Sequence, residues 1–286
     1  MRCLTLIALV IVLPLLAAAE EPSAAGAAPA SSALVSNPCA AAPAMPAAMA
    51  DGLDRVLEPG KPASDLQSSF ARADVQEYLK AVQEQARTDW PNLCRYRSAN
   101  AGLAQSARVV FIGDSITEFW ARADTELFRD GVIGRGISGQ TSPQMLLRFF
   151  QDVVELHPQT VHIMAGTNDV AGNTGPSSAQ DFKNNIMAMV ELAHAHKIRV
   201  VLASIPPAKA FPWKPELRPA ADVAALNTWL RSYAQASGSQ YVDYYSVLVD
   251  PQGGFLAALS NDGVHPNRDG YMKMQALALT AIRSGR

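Results

Sequence analysis

The chain has 286 residues, of which 49% are hydrophobic and 17% charged, with 24 Lys and Arg against 26 Asp and Glu and a formal net charge of −2. That is enough for one substantial core. The weak, interspersed charge excludes a polyanion groove and a polybasic membrane patch, so neither nucleic acid nor a charged lipid surface is an expected partner.

Arg2 is followed by an apolar run from Leu4 to Leu16 and then by Ala17-Ala18-Ala19 before Glu20. The pattern predicts a secretory signal over residues 1–19 with a small-residue cleavage site. The run is short for a span, which needs about 20 apolar residues, and Pro14 interrupts it, so no stable membrane insertion is expected once the signal is removed. The product is then exported, to the periplasm or the medium. Cys3 leaves with the signal, and Cys39 and Cys94 remain. In an oxidising compartment they can pair; the alternative is a free thiol at each, and spacing does not choose between them.

Residues 20–71 read as an Ala/Pro-rich linker, because the stretch from Ser23 to Ala50 has almost no large side chains with which to offset the entropy of ordering. The catalytic domain is expected over 72–286. It opens on a helix in which Val75, Leu79, Val82 and Ala86 recur at helical spacing until Pro91. Short apolar runs then alternate with amphipathic stretches. Strands are predicted at Val109 to Ile112, Val132 to Ile133, Val161 to Met164, Val200 to Ala203 and Tyr241 to Val242. Helices are predicted after the Ser142-Pro143 cap, after Ser178 with Asp181 three residues on, after Asp222 and after Asn267. Such alternation implies a parallel sheet covered by helices on both faces, an α/β fold.

Ligands of such sheets bind where the loops leave the carboxyl ends of the strands. Three polar motifs follow strands: Gly113-Asp114-Ser115, Gly136-Ile137-Ser138-Gly139 and Gly166-Thr167-Asn168-Asp169. A fourth, Asp262-Gly263-Val264-His265, lies on the last loop before the final helix. Ser115 is the candidate nucleophile, and a serine hydroxyl needs a base. Among five histidines only His265 has a carboxylate, Asp262, spaced so that one turn orients it. His157, His162, His194 and His196 are expected to be structural or superficial. The N–H of Ser115, the N–H of Gly139 and the side-chain amide of Asn168 are candidate oxyanion donors. Asp114 and Asp169 are read as turn carboxylates that hold their neighbours in place.

These four blocks, in this order, resemble the GDSL esterases and lipases of the SGNH hydrolase superfamily over roughly Arg108 to Ala281. The resemblance implies a flavodoxin-like three-layer α/β/α fold with a five-stranded sheet in the order 2-1-3-4-5. It also implies a serine ester hydrolase in which Ser115, Asp262 and His265 are catalytic and Ser115, Gly139 and Asn168 form the oxyanion hole, with no cofactor. Two positions depart from the usual pattern: Ile116 stands where the family name has leucine, and Gly134 where relatives often carry asparagine. The substrates implied are carboxylic esters, either short-chain acyl or O-acetyl groups on carbohydrate, or lysophospholipids and thioesters.

The loop from Ile205 to Pro219 carries five prolines and two aromatics, Phe211 and Trp213, that either wall a substrate pocket or anchor the loop to the core. Trp120 is expected in the core. A non-catalytic α/β module remains the other class, binding carbohydrate or a nucleotide. Gly134-Arg135-Gly136-Ile137-Ser138-Gly139 matches a dinucleotide fingerprint, but the acid that should follow, Glu155, falls at the end of a helix rather than of a strand. No metal site is expected, since His194 and His196 point about 200° apart on a helix.

Overall fold

A computed structural model describes residues 37–39, 43–61, 68–103 and 105–283. The predicted signal peptide, residues 1–19, and the first part of the predicted linker lie outside the described residues. From Cys39 onward the chain forms one unit.

Five parallel strands make a single sheet: β1 (Val109–Gly113), β2 (Val132–Gly136), β3 (Thr160–Met164), β4 (Arg199–Ala203) and β5 (Gln240–Val242), in the order β2-β1-β3-β4-β5. β1 lies between β2 and β3, with Gly113 opposite both Gly136 and Met164, so the three motif-bearing loops leave the sheet side by side.

Successive strand residues turn to opposite faces, and both faces are covered. On one, Val110, Ile112, Val161, Ile163, Val200 and Leu202 pack against α5 (Ser142–Asp152), α7 (Ala179–Ala195) and α8 (Ala220–Ser237). On the other, Val109, Phe111, Val201 and Val242 pack against α1 (Ala47–Leu57), α4 (Ser115–Ala123) and α10 (Arg268–Arg283). Other α-helices among the described residues are α2 (Ala73–Thr88) and the short α3 (Arg97–Ala101), α6 (Thr167–Val170) and α9 (Tyr245–Leu248). Trp120 is fully buried, as its place on α4 requires. No helix among the described residues is long and apolar enough to cross a membrane.

Two sequence expectations need correction. The stretch assigned to a linker contains α1, whose Leu53, Val56 and Leu57 recur at helical spacing and are buried, Leu53 and Leu57 in one cluster with Trp120 and Tyr271. The small side chains up to Ala50 masked this amphipathic turn just beyond them. The cap of α5 is Thr141, not Ser142: Thr141 and Gln144 form a capping box, and Pro143 occupies the second helical position. At α7 the predicted Ser178 and Asp181 capping box is present.

Cys39 and Cys94 are joined in a disulfide. The bond ties the start of the unit to the turn after α2, where both carboxylate oxygens of Asp89 accept backbone N–H groups, from Leu93 at 2.7 Å and from Cys94 at 2.9 Å.

Candidate active site

β1 ends at Gly113, and Asp114 caps the helix that follows by accepting the Ile116 N–H at 2.9 Å. Ser115 is therefore the first residue of α4, where backbone N–H groups have no intrahelical acceptor and the helix dipole is positive. Ile116, Phe119 and Trp120 bury one face of α4 and fix its position over the sheet.

His265 arrives from the opposite end of the sequence. One oxygen of Asp262 accepts the backbone N–H groups of Val264, at 2.9 Å, and His265, at 2.8 Å, folding the loop into a tight turn. Its other oxygen lies 2.6 Å from His265 Nδ1. The imidazole thus carries its proton on Nδ1 and turns Nε2 toward Ser115 Oγ, 2.9 Å away. The Phe119 ring packs against the imidazole at 5.1 Å between centroids. Val264 is buried beneath the turn, and α1 supports it from outside: Asn261 Nδ2 donates to the carbonyls of Val56, at 2.6 Å, and Glu58, at 2.8 Å.

The electrostatics follow from this packing. Burial pushes the Asp262 carboxyl up, but the adjacent imidazole and the backbone donors outweigh it and hold it well below the usual carboxylate range. For His265, burial favours the neutral ring, and the charge and hydrogen bond of Asp262 reverse that, raising it above its ordinary value. Asp114 is fully buried and pushed up to about 6, with the Ile116 N–H and His265 opposing the shift.

Gly139 has φ of +79°, a conformation that side chains rarely adopt, and the space beside its Cα is open. It lies on the loop after β2. Gly136 is required for a different reason: a Cβ there would collide with the backbone of Glu118 on α4. Glu118 in turn accepts the Ser138 N–H at 2.8 Å and hydroxyl at 2.6 Å, so the loop is clamped to the helix that begins at Ser115.

Asn168 sits on α6 after β3, and its amide donates to Asp114 Oδ2 and to the carbonyl of Gln140, each at 3.1 Å. Its side-chain oxygen accepts from Asn173 at 2.5 Å. Asp169 reaches away from its own turn to accept the Ser142 N–H at 3.0 Å and hydroxyl at 2.5 Å, joining α6 to the start of α5.

The structure brings Ser115, Gly139, Asn168, Asp262 and His265 to the carboxyl edge of the sheet. It does not bring Phe211 into an open pocket. Phe211 is fully buried against Ala171, Ala208 and Val264, so it anchors the proline-rich loop under the His265 turn; the apolar contact available there outweighed exposure. Trp213 is 43% exposed, stacks on Phe211 and donates to Asn173 at 3.0 Å, which places it one hydrogen bond from Asn168. His162 is fully buried on β3, stacked on Phe111 at 4.3 Å with Nε2 3.0 Å from the Tyr244 hydroxyl, and burial pushes it down to about 3, so it stays neutral.

One supporting residue was missed in the sequence. Arg148 is fully buried and donates to the Gly113 carbonyl at 2.9 Å, to Gln140 Oε1 at 2.6 Å and to Asp152 at 3.0 Å. It therefore links the end of β1, next to Asp114 and Ser115, to the residue after Gly139. The signal available was a lone arginine on the apolar face of α5, four residues before an aspartate. Among the described residues no group of three or more His, Cys, Asp or Glu is arranged to hold a metal ion.

Residues 111–273, more than half of the chain, match the model of the GDSL-like Lipase/Acylhydrolase family. The chain belongs to that family. A GDSL-like lipase from Bacteroides thetaiotaomicron is 45% identical, with a TM-score of 0.67 over 69% of this chain and all of that one. A variant of Axe2, an acetyl-xylooligosaccharide esterase from Geobacillus, is 21% identical with a TM-score of 0.50 over 63% of this chain and 96% of that one, a likeness of fold alone. The uncharacterized lipoprotein YqeF of Bacillus subtilis is 35% identical over 79 residues, 27% of this chain. The chain spans about a third of the length of that curated relative, 32%. As a GDSL-like acylhydrolase, the protein is an ester-cleaving enzyme of three-layer α/β/α fold.

Proposed function

We propose that this GDSL-like enzyme is an exported serine esterase that cleaves short-chain carboxylic esters, including O-acetyl groups on carbohydrate, through an acyl-enzyme on Ser115. The observation that carries the proposal is the continuous hydrogen-bonded chain from Ser115 Oγ to His265 Nε2, 2.9 Å, and from His265 Nδ1 to Asp262, 2.6 Å. His265 Nε2 takes the hydroxyl proton as Ser115 Oγ bonds to the ester carbonyl carbon, and Asp262 stabilises the imidazolium that results. The tetrahedral oxyanion is held by the N–H groups of Ser115 and Gly139 and by Asn168. Both amide protons of Asn168 already have acceptors, Asp114 and the Gln140 carbonyl, so the oxyanion competes for the one on Gln140. His265 then returns its proton to the departing alcohol. Water, deprotonated by the same Nε2, attacks the acyl-serine and releases the carboxylic acid.

Export is supported by the signal-like run before Glu20, by the Cys39 to Cys94 disulfide and by the lipoprotein designation of YqeF. The test is hydrolysis of 4-nitrophenyl esters of graded chain length, acetylated sugars, a lysophospholipid and an acyl thioester, with Ser115→Ala as control. The expected result is preference for acetyl esters and loss of turnover in Ser115→Ala. A preference for long acyl chains or thioesters replaces the substrate assignment, and wild-type turnover in Ser115→Ala removes the mechanism.

A further inference from the structure

The segment from Asp89 to Tyr96 lies N-terminal to the family match, yet it is fastened to the loop that carries Gly139. Gln140 Nε2 donates to the Pro91 carbonyl at 2.8 Å, Gln144 Nε2 to the Trp90 carbonyl at 2.8 Å and the Tyr96 hydroxyl to the Gly136 carbonyl at 2.5 Å. Gln151 adds a bond to the Leu93 carbonyl. Between this segment, the end of α2 and the loop is a cavity of about 150 Å³. Gly139 forms one wall; Gln85, Gln144 and Thr174 line the cavity with polar groups and Val82, Ile137 and Trp90 with apolar ones. Trp90 is 42% exposed, one of six large apolar side chains exposed among the described residues.

We propose that this cavity is the subsite for the alcohol portion of the ester and that its occupant is a single sugar ring stacked on Trp90. The proposal rests on the esterase reading above, because it takes Gly139 as the point where the scissile carbonyl sits. What extends from that carbonyl past Gly139 is either the acyl chain or the alcohol, and the lining decides between them. An acyl chain, apolar throughout, would match Val82 and Ile137 but leave the amides and the threonine hydroxyl without partners. A pyranose presents a face of C–H groups edged by hydroxyls, which an indole flanked by both apolar and polar side chains complements. The volume is below the roughly 300 Å³ at which sites for drug-sized ligands begin, and it suits one ring. The backbone that carries the indole is fixed, since the Trp90 and Pro91 carbonyls are bonded to Gln144 and Gln140. Trp90 is thus a specificity residue supplied by the N-terminal extension and pinned by the disulfide four residues on.

The experiment compares kcat and KM for acetylated methyl β-xyloside and for 4-nitrophenyl acetate in the wild type, Trp90→Ala and Trp90→Phe. In parallel, titration calorimetry measures binding of the acetylated xyloside to Ser115→Ala and to Ser115→Ala with Trp90→Ala. The expected result is a rise in KM for the xyloside in Trp90→Ala that exceeds the change on 4-nitrophenyl acetate by about 10-fold, from the loss of an aromatic contact. Trp90→Phe should recover most of it, and affinity in the calorimeter should fall by a similar factor. Equal losses on both esters would mark Trp90 as merely structural and overturn the subsite, as would unchanged xyloside binding. If the wild type hydrolyses neither ester, the esterase reading fails, and the calorimetric pair alone decides the subsite.

Discussion

Asn168 donates its side-chain amide to Asp114 at 3.1 Å, so the residue proposed to hold the oxyanion is oriented by the residue that precedes the proposed nucleophile. Asp114 performs two tasks with two oxygens, capping α4 with one and aligning Asn168 with the other. Burial holds its carboxyl at about 6, above the ordinary 3.8, so the folded protein binds that proton more tightly than the unfolded chain. The associated stability is fully present below about pH 4 and is lost as the pH rises through 6. Urea unfolding of the wild type and Asp114→Asn should diverge between pH 4 and pH 7, the wild type losing up to about 3 kcal/mol relative to the variant. A difference that stays flat across that window contradicts the burial of Asp114 as an ionisable group.

In the proposed mechanism His265 must be neutral to accept the Ser115 proton, and Asp262 raises it above the ordinary imidazole value of 6.5. The acid limb of kcat/KM on 4-nitrophenyl acetate should therefore have its midpoint above 6.5, with activity rising as the proton leaves. Asp262→Asn should move that midpoint down and cut kcat on the order of 10⁴-fold, because the imidazole loses both its counter-charge and its tautomer. A midpoint unmoved in Asp262→Asn would show that the limb belongs to another group.

Arg148 and Asp152 are a fully buried ion pair, and breaking one partner leaves the other charged in the core. Arg148→Met is expected to cost about 3–5 kcal/mol in chemical denaturation, while Arg148→Met combined with Asp152→Leu recovers a large part. The double variant still lacks the donor to the Gly113 carbonyl and to Gln140, so its kcat should remain low after its stability returns. Full recovery of both would mean that Arg148 acts on stability alone.

The Cys39 to Cys94 bond joins residues 55 positions apart, and the chain-entropy model gives it about 4 kcal/mol. Replacing both cysteines with serine should lower the unfolding midpoint accordingly. Hydrogen exchange should rise first between residues 89 and 96, the segment to which Cys94 belongs. Uniform loss of protection would argue that the bond acts only on the unfolded chain.

Much of the fold was legible because β1, β3 and β4 are buried on both faces, so Val109 to Ile112 and Val200 to Ala203 read as uninterrupted apolar runs. The candidate site was legible because Ser115, Gly139 and Asn168 lie on the connections that follow β1, β2 and β3. Arg148 was not, because its partners, the Gly113 carbonyl, Gln140 and Asp152, are scattered in the chain and two of its three bonds have no local spacing signature. The attachment of Trp90 escaped notice for the same reason, being made by Gln140 and Gln144 to backbone carbonyls, contacts that any sequence could supply. Phe211 was ambiguous by nature: an aromatic on a rigid loop fills a core gap or faces a ligand according to the curvature of the backbone around it. Here Val264 and Ala171 were within reach.

The most direct test of the central claim is covalent labelling by diisopropyl fluorophosphate, in which Ser115 Oγ bonds to phosphorus and fluoride departs. Peptide mass spectrometry should find the adduct on Ser115, accumulating in step with loss of esterase activity and absent in His265→Ala. Persistent hydrolysis by protein fully labelled at Ser115, or inactivation with the adduct on another residue, would contradict the account.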